Sequence, residues 1–235
     1  MKILALETSA VTASVAVTED EKLLAQSFQN SGLTHSATLM PMVSDLMKNT
    51  GLTLEEMDVI AVAAGPGSFT GIRIGVAAAK GLAWPGDKPC APCSTLESMA
   101  WQCAHMEGEI CAVMDARRRQ VYNARFTARG GVLTRLCEDR AVGLEELAEE
   151  TKKSGKTQIL VGDGARLCYN AFENAGVPAV LMPPHLIYQT AWGVARAALE
   201  LAKADRLVPA GQLTPQYHRL SQAERERLER EGRNN

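Results

Sequence analysis

Apolar and polar positions change period several times along this chain, and the changes divide it into elements. Lys2 to Glu7 reads as a strand, Ala13 to Val17 alternates small polar with apolar residues, and Lys22 to Phe28 follows the turn Glu19-Asp20-Glu21, so the chain opens as a β meander. A helical stripe comes next, with apolar residues at 39, 40, 43, 46 and 47 and a stop near Asn49-Thr50-Gly51. Pro41 fits that helix without strain when Thr38 is its N-cap, which leaves His35 in the preceding loop as a structural or solvated residue.

Val59 to Ala64 is a continuous apolar run, read as a buried strand, and Ile72 to Trp84 reads as a small-residue helix. Between them lies Gly65-Pro66-Gly67-Ser68-Phe69-Thr70-Gly71-Ile72-Arg73-Ile74-Gly75. Glycines there let the backbone approach a phosphate, a helix or a partner chain closely. The stretch matches neither G-x-x-x-x-G-K-[ST] nor G-x-G-x-x-G. Gly71, Gly75 and Ala79 recur every four residues and leave one helix face nearly bare, so tight packing against another helix is the steric expectation.

The second half repeats the opening. Thr95 to Ala104 reads as a helix, with Ser94 as N-cap and Glu97 at N3. Strands follow at 110–115, 120–126 and 132–137, then helix 143–151, strand 159–161, helix 165–174 and an amphipathic helix 190–203. The expected division is a first lobe over 1–104, a second over 105–208 and a polar tail over 209–235, in which the run from Ser221 to Asn235 is a solvated helix or disordered.

Composition narrows the reading. The chain has 235 residues, 46% of them apolar, with a net charge of −2, so it carries no global field for nucleic acid or anionic lipid. The absence of a long apolar run or a signal-peptide pattern points to a cytoplasmic protein without membrane attachment. Six cysteines are scattered through it. Cys90 and Cys93 form a CxxC, but no second pair completes a metal site, so buried free thiols are expected.

Polar chemistry concentrates at turns. Glu7-Thr8-Ser9 sits at the first hairpin, and together with Gly65, Gly67, Gly162 and Gly164 it forms the set of candidate nucleotide contacts, weighed against ordinary polar turns. Arg117, Arg118 and Arg119, at the second meander's turn, are candidates for contact with RNA or protein, weighed against solvated charge.

Taken in order, Ile3 to Ser9 with Ser14 to Val17, His35-Ser36, Ala64 to Gly75, Ser94 to Ala100, Met114 to Arg118 and Gly162 to Ala165 resemble the TsaB (YeaZ) family over most of the chain. The resemblance implies an α/β, two-lobed fold of the actin, sugar-kinase and heat-shock-chaperone type. It also implies a non-catalytic scaffold in the synthesis of threonylcarbamoyladenosine beside the anticodon of tRNAs reading codons that begin with A. In that scheme TsaD carries the metal and the transfer chemistry, TsaE is an assisting ATPase, a homodimer forms when the chain is alone, and tRNA is met through the complex. No cofactor is required of this chain, although nucleotide can bind at the complex. Catalytic relatives carry H-x-E-G-H after the glycine motif; Thr95-Leu96-Glu97-Ser98-Met99 stands there and lacks both histidines, so no catalytic or metal-binding residue is expected. Glu7 replaces the family's usual Asp. The expected partner surface is Met40, Val43, Met47, Gly71, Gly75 and Ala79. An ATP-binding phosphotransferase or ATPase using Glu7 and the glycine turns is the alternative, and a metallopeptidase-like protein a weaker one.

Overall fold

The computed structural model describes residues 1–218, so the charged run from Ser221 onward lies outside the described residues. Two meanders build two sheets. In the first, β1 (Lys2–Glu7), β2 (Ala13–Glu19) and β3 (Lys22–Gln29) are antiparallel, and β4 (Val59–Gly65) and β5 (Cys90–Ser94) extend the sheet in parallel, giving the order β3-β2-β1-β4-β5. The second sheet repeats this order with β6 (Gly108–Asp115), β7 (Gln120–Arg129), β8 (Val132–Arg135), β10 (Gln158–Val161) and β11 (Ala179–Leu181), as β8-β7-β6-β10-β11; β9 (Arg140–Gly143) pairs with β7. The duplicated order is the two-lobed actin-like architecture that the resemblance implied.

Both faces of each sheet are covered, which is why the central strands are apolar throughout rather than alternating. Leu4, Leu6, Ile60 and Val62 point towards α1 (His35–Thr50) and α2 (Phe69–Ala83). Ile3, Ala5, Val59, Ala61 and Ala63 point the other way, towards α6 (Ala191–Lys203), whose Ala191, Val194, Ala195 and Ala198 match the small residues of the sheet. In the second sheet Ile110, Ala112, Phe126 and Val161 meet α3 (Thr95–Gln102), while Cys111, Val113 and Leu160 meet α4 (Leu144–Lys152) and α5 (Ala165–Ala175). Helices α3 and α6 pack against each other in the middle, where a Cβ on Gly193 would collide with the carbonyl of Ser98.

Several boundaries differ from the sequence reading. Helix α1 begins at His35, with Thr34 at its N-terminal boundary, so Pro41 lies inside it. Both Pro41 and Ala37, whose carbonyl loses its helical donor, are exposed, and water can take the missing bond. His35 anchors the helix to the first hairpin, its Nε2 2.7 Å from the Ala10 carbonyl oxygen. Helix α2 starts at Phe69, with the Ser68 hydroxyl accepting from the Gly71 amide, because the glycines continue the helix instead of preceding it. Strands β9 and β11 were missed; each is too short to show a period. Cys90 and Cys93 face opposite sides of β5 inside separate cores, and burial pushes both thiols up, Cys90 to about 11.

The division at residue 208 fails physically. Helix α6 closes the first sheet, not the second, and the chain then continues across the first lobe as a strap. Val208 pairs with Cys90 through bonds of 2.7 and 2.9 Å, Ala210 and Leu213 enter the first core, and the Gln216 amide donates to the Ala64 carbonyl at 2.7 Å. Tyr217 stacks on Phe69 with centroids 4.4 Å apart, and the Arg73 Nε donates to its hydroxyl at 2.8 Å. Residues 209–217 are thus part of the fold. Leu213 is fully buried; Leu213→Ala is expected to cost about 2–5 kcal/mol in urea unfolding, whereas a solvated tail residue would cost almost nothing.

Candidate functional site

The glycine motif closes on the first hairpin. A Cβ on Gly67 would overlap the Ser9 carbonyl, and one on Gly71 the Thr8 carbonyl; at Gly75 it would sit 2.5 Å from the Thr8 hydroxyl. That hydroxyl donates to the Gly71 carbonyl at 2.8 Å, and the Ser68 amide donates to the Ser9 carbonyl at 2.7 Å. Gly65 is similarly covered by the backbone of Gln216. The second lobe repeats the device, since Cβ atoms on Gly162 and Gly164 would run into the backbone of Val113 and Met114 at the end of β6.

These contacts explain one expectation and correct another. Gly65, Gly67, Gly162 and Gly164 lie against the chain's own backbone, and Glu7, Thr8 and Ser9 are fully buried, so close packing within the chain accounts for the glycines at these turns. Gly71, Gly75 and Ala79 form the bare helix face as expected, but it lies on the first sheet and is buried, as is Val43. Of the six expected interface residues only Met40 is exposed, at 44%, with Met47 half-buried beside it. A bulky residue at Gly75 would therefore test folding rather than docking.

The face of α2 that points outward carries Arg73, Ala77, Gly81 and Trp84, all exposed, with Trp84 at 71%. A Cβ on Gly81 would meet nothing within 4 Å, so no contact inside the chain requires a glycine there. The row runs from the Phe69–Tyr217 stack at one end to a bare indole at the other. Periodicity pointed only to the inward face, and the row's residues showed no common chemistry to single them out.

Where the lobes meet, the polar groups are acidic and dry. Glu7 is fully buried; its Oε1 accepts from the Ser9 amide at 2.5 Å, and its Oε2 has no partner among the described residues. Burial, reinforced by the nearby charge of Asp163, pushes its carboxyl up to about 7. Asp163, also raised by burial, to about 6, accepts from Gln189 Nε2 at 3.0 Å, and the Thr12 hydroxyl donates to the Gln189 carbonyl at 3.2 Å across the junction.

Nearer the strap, a cavity of about 560 Å³ is lined by Ser94, Glu97, Arg135, Asp139, Glu200 and Arg206. Arg135 donates to Glu97 and Asp139, both at 2.7 Å, and lies 4.7 Å from the centroid of the Phe126 ring. The Ser94 hydroxyl donates to Asp139 at 2.5 Å and also caps α3. Neither Arg135 nor Asp139 belonged to a motif. The two positions that the resemblance matched to histidines are both buried: the Thr95 hydroxyl has no partner among the described residues, and Met99 packs its sulfur against Gly162. A hydroxyl, a thioether and a carboxylate already bound by arginine do not make a site for a catalytic metal. Among the described residues no cluster of three or more His, Cys, Asp or Glu is placed to hold one.

The turn Arg117-Arg118-Arg119 has φ values of 66°, 55° and 57°, three successive residues in the left-handed region. That conformation costs an L-residue about 1–2 kcal/mol. Arg117 is fixed through its amide, which donates to Asp115 Oδ1 at 2.7 Å, and Arg119 pairs with Glu145.

The acidic junction makes a pH prediction. A carboxyl raised from 4.5 to about 7 stabilises the fold fully below pH 4.5, and the contribution is lost as pH rises through 7. Glu7 is thus worth up to about 3 kcal/mol at acidic pH. Thermal unfolding between pH 5 and 8 is expected to show the melting temperature falling with pH, and Glu7→Gln is expected to flatten the fall.

Among the described residues no helix is long and apolar enough to cross a membrane. Residues 24–226 match the family model described as TsaD, tRNA N6-adenosine threonylcarbamoyltransferase. The chain is 33% identical to the tRNA threonylcarbamoyladenosine biosynthesis protein TsaB of Bacillus subtilis over 97% of its own length and 99% of that protein. It is 39% identical to the Haemophilus influenzae TsaB over 126 residues, about half of each chain. The solved structure of YeaZ from Pseudomonas aeruginosa superposes with a TM-score of 0.79 at 25% identity, covering 92% of this chain and 99% of that one. With a duplicated actin-like fold and near full-length similarity to a curated relative, the chain belongs to the TsaB family of tRNA threonylcarbamoyladenosine biosynthesis proteins.

Proposed function

We propose that this chain is a non-catalytic scaffold that docks on a TsaD-type partner, assisted by a TsaE-type ATPase, for transfer of the threonylcarbamoyl group to the adenosine beside the anticodon. It works in the cytoplasm, pairs with a second copy when alone, and needs no cofactor of its own. The observation that carries the reading is the outward row of α2: Ala77 and Gly81 leave the helix backbone open to a neighbour, between Arg73 and an exposed Trp84, with Met40 of α1 also exposed. Small residues allow close approach, and an exposed tryptophan is the kind of side chain that anchors an interface. The interior argues in the same direction. Glu7 and the glycine turns, on which the phosphotransferase alternative depends, are closed against backbone, and the metallopeptidase alternative has no ligand set among the described residues.

Fold and docking separate at Gly81. Gly81→Leu adds a side chain in open space and improves helix propensity, so the urea midpoint is expected to stay or rise slightly. Binding to the TsaD-type partner, measured by sedimentation or co-purification, is expected to weaken at least tenfold in Gly81→Leu and in Trp84→Ala. Wild-type binding in both variants would remove this surface from the reading.

A further inference from the structure

The three arginines between β6 and β7 are not needed to make their turn. Its geometry is fixed by the Arg117 amide on Asp115, the Gln120 amide on the Arg117 carbonyl at 3.1 Å, the Ala116 amide on the Gln120 carbonyl at 3.0 Å and the Leu144 amide on the Arg119 carbonyl at 3.2 Å. No arginine side chain takes part in those bonds. Left-handed positions favour glycine or asparagine, yet this chain places three arginines there in succession.

Their side chains stand in solvent, 86% exposed for Arg117 and 75% for Arg119. Arg117 passes Asp115 at 3.7 Å and Arg119 meets Glu145, pairs that at such exposure hold a side chain only weakly. Among the described residues Arg118 makes no ion pair. The turn contains no exposed large apolar residue that could form the core of a protein interface. What it offers is a row of guanidinium forks on a fixed backbone, the geometry that suits phosphate oxygens.

We propose that the Arg117–Arg119 turn is a contact site for the phosphodiester backbone of tRNA, so that the scaffold grips the RNA directly as well as holding its partner. The choice of tRNA rests on the scaffold reading; the phosphate chemistry rests on the turn. With a net charge of −2 on the chain, the contact is local, and a few arginines set its whole salt dependence.

Anisotropy of labelled tRNA, titrated across a sodium chloride series with the full chain alone and with its TsaD-type complex, tests this. The slope of log affinity against log salt is expected to fall by about 0.7–0.9 for each phosphate-bound arginine lost in Arg118→Gln and in Arg117→Gln/Arg118→Gln. Arg118→Lys is expected to keep most of the slope. Arg118→Gly relieves the backbone, so it is expected to melt no lower than wild type while showing the same fall in slope as Arg118→Gln, a combination that a merely structural arginine would not give. An unchanged slope in the double variant with the complex assembled overturns the proposal, as does loss of partner binding at unchanged slope, or absence of tRNA binding in both forms. Failure of the wild-type chain to bind its partner would count against the scaffold reading, and the slope for the chain alone would still decide the arginine turn.

Discussion

The rest of the structure depends on one close contact, the meeting of the glycine motif with the Glu7-Thr8-Ser9 turn. Helix α2 reaches β1 only because Gly67, Gly71 and Gly75 carry no Cβ, and the Thr8 hydroxyl and the Ser9 carbonyl then satisfy backbone groups that the approach buries. That contact sets the position of α2 on the sheet, and with it which residues of the helix are turned outward. Inward, it buries the Thr8 and Ser9 backbone against the helix. Outward, it presents Ala77, Gly81 and Trp84. The packed inner face of α2 and its exposed outer row are thus two results of the same contact.

The junction between the lobes follows a related logic. Glu7 ends β1, the middle strand of the first sheet, and Asp163 follows β10, the strand of the second sheet that corresponds to β4, so the two carboxyls reach the junction from non-equivalent places, and burial raises both. Removing a carboxylate from solvent favours its protonated form, which donates hydrogen bonds instead of repelling its neighbour. The Thr12–Gln189–Asp163 chain of bonds ties the halves together, with Gln189 donating to Asp163 and accepting from Thr12. On the strap side, Ser94 at the end of β5 donates to Asp139, which Arg135 holds together with Glu97.

Much of this was legible in the sequence. Buried strands declared themselves as apolar runs, the repeat of meander and helix predicted two lobes, and the spacing of Gly71, Gly75 and Ala79 predicted a bare helix face. Periodicity reports that a face is small, however, and not what covers it; the sheet of the same lobe covered this one. The true outward row mixes Arg73, Ala77, Gly81 and Trp84, which share no chemistry. The lobe boundary failed for a similar reason. Helix α6 is amphipathic wherever it packs, and only the match between its alanines and the alanines of β1 and β4 assigns it to the first sheet. Arg135, Asp139 and Gln189 come together from separate elements at no fixed spacing.

The strap and α6 have a consequence for how the protein is made. The first sheet lacks one of its covering helices until residues 191–203 have been synthesised, and the first core lacks Ala210 and Leu213 until later still. A ribosome delivers these residues more than a hundred positions after β1 to β4, so the strands of the first sheet emerge with an apolar face uncovered until α6 and the strap follow. Contacts of such long sequence separation close slowly, and an exposed apolar face during that interval invites association with other chains. Completion of the first lobe therefore waits until the whole second sheet has been synthesised, although the strands of the first sheet precede it.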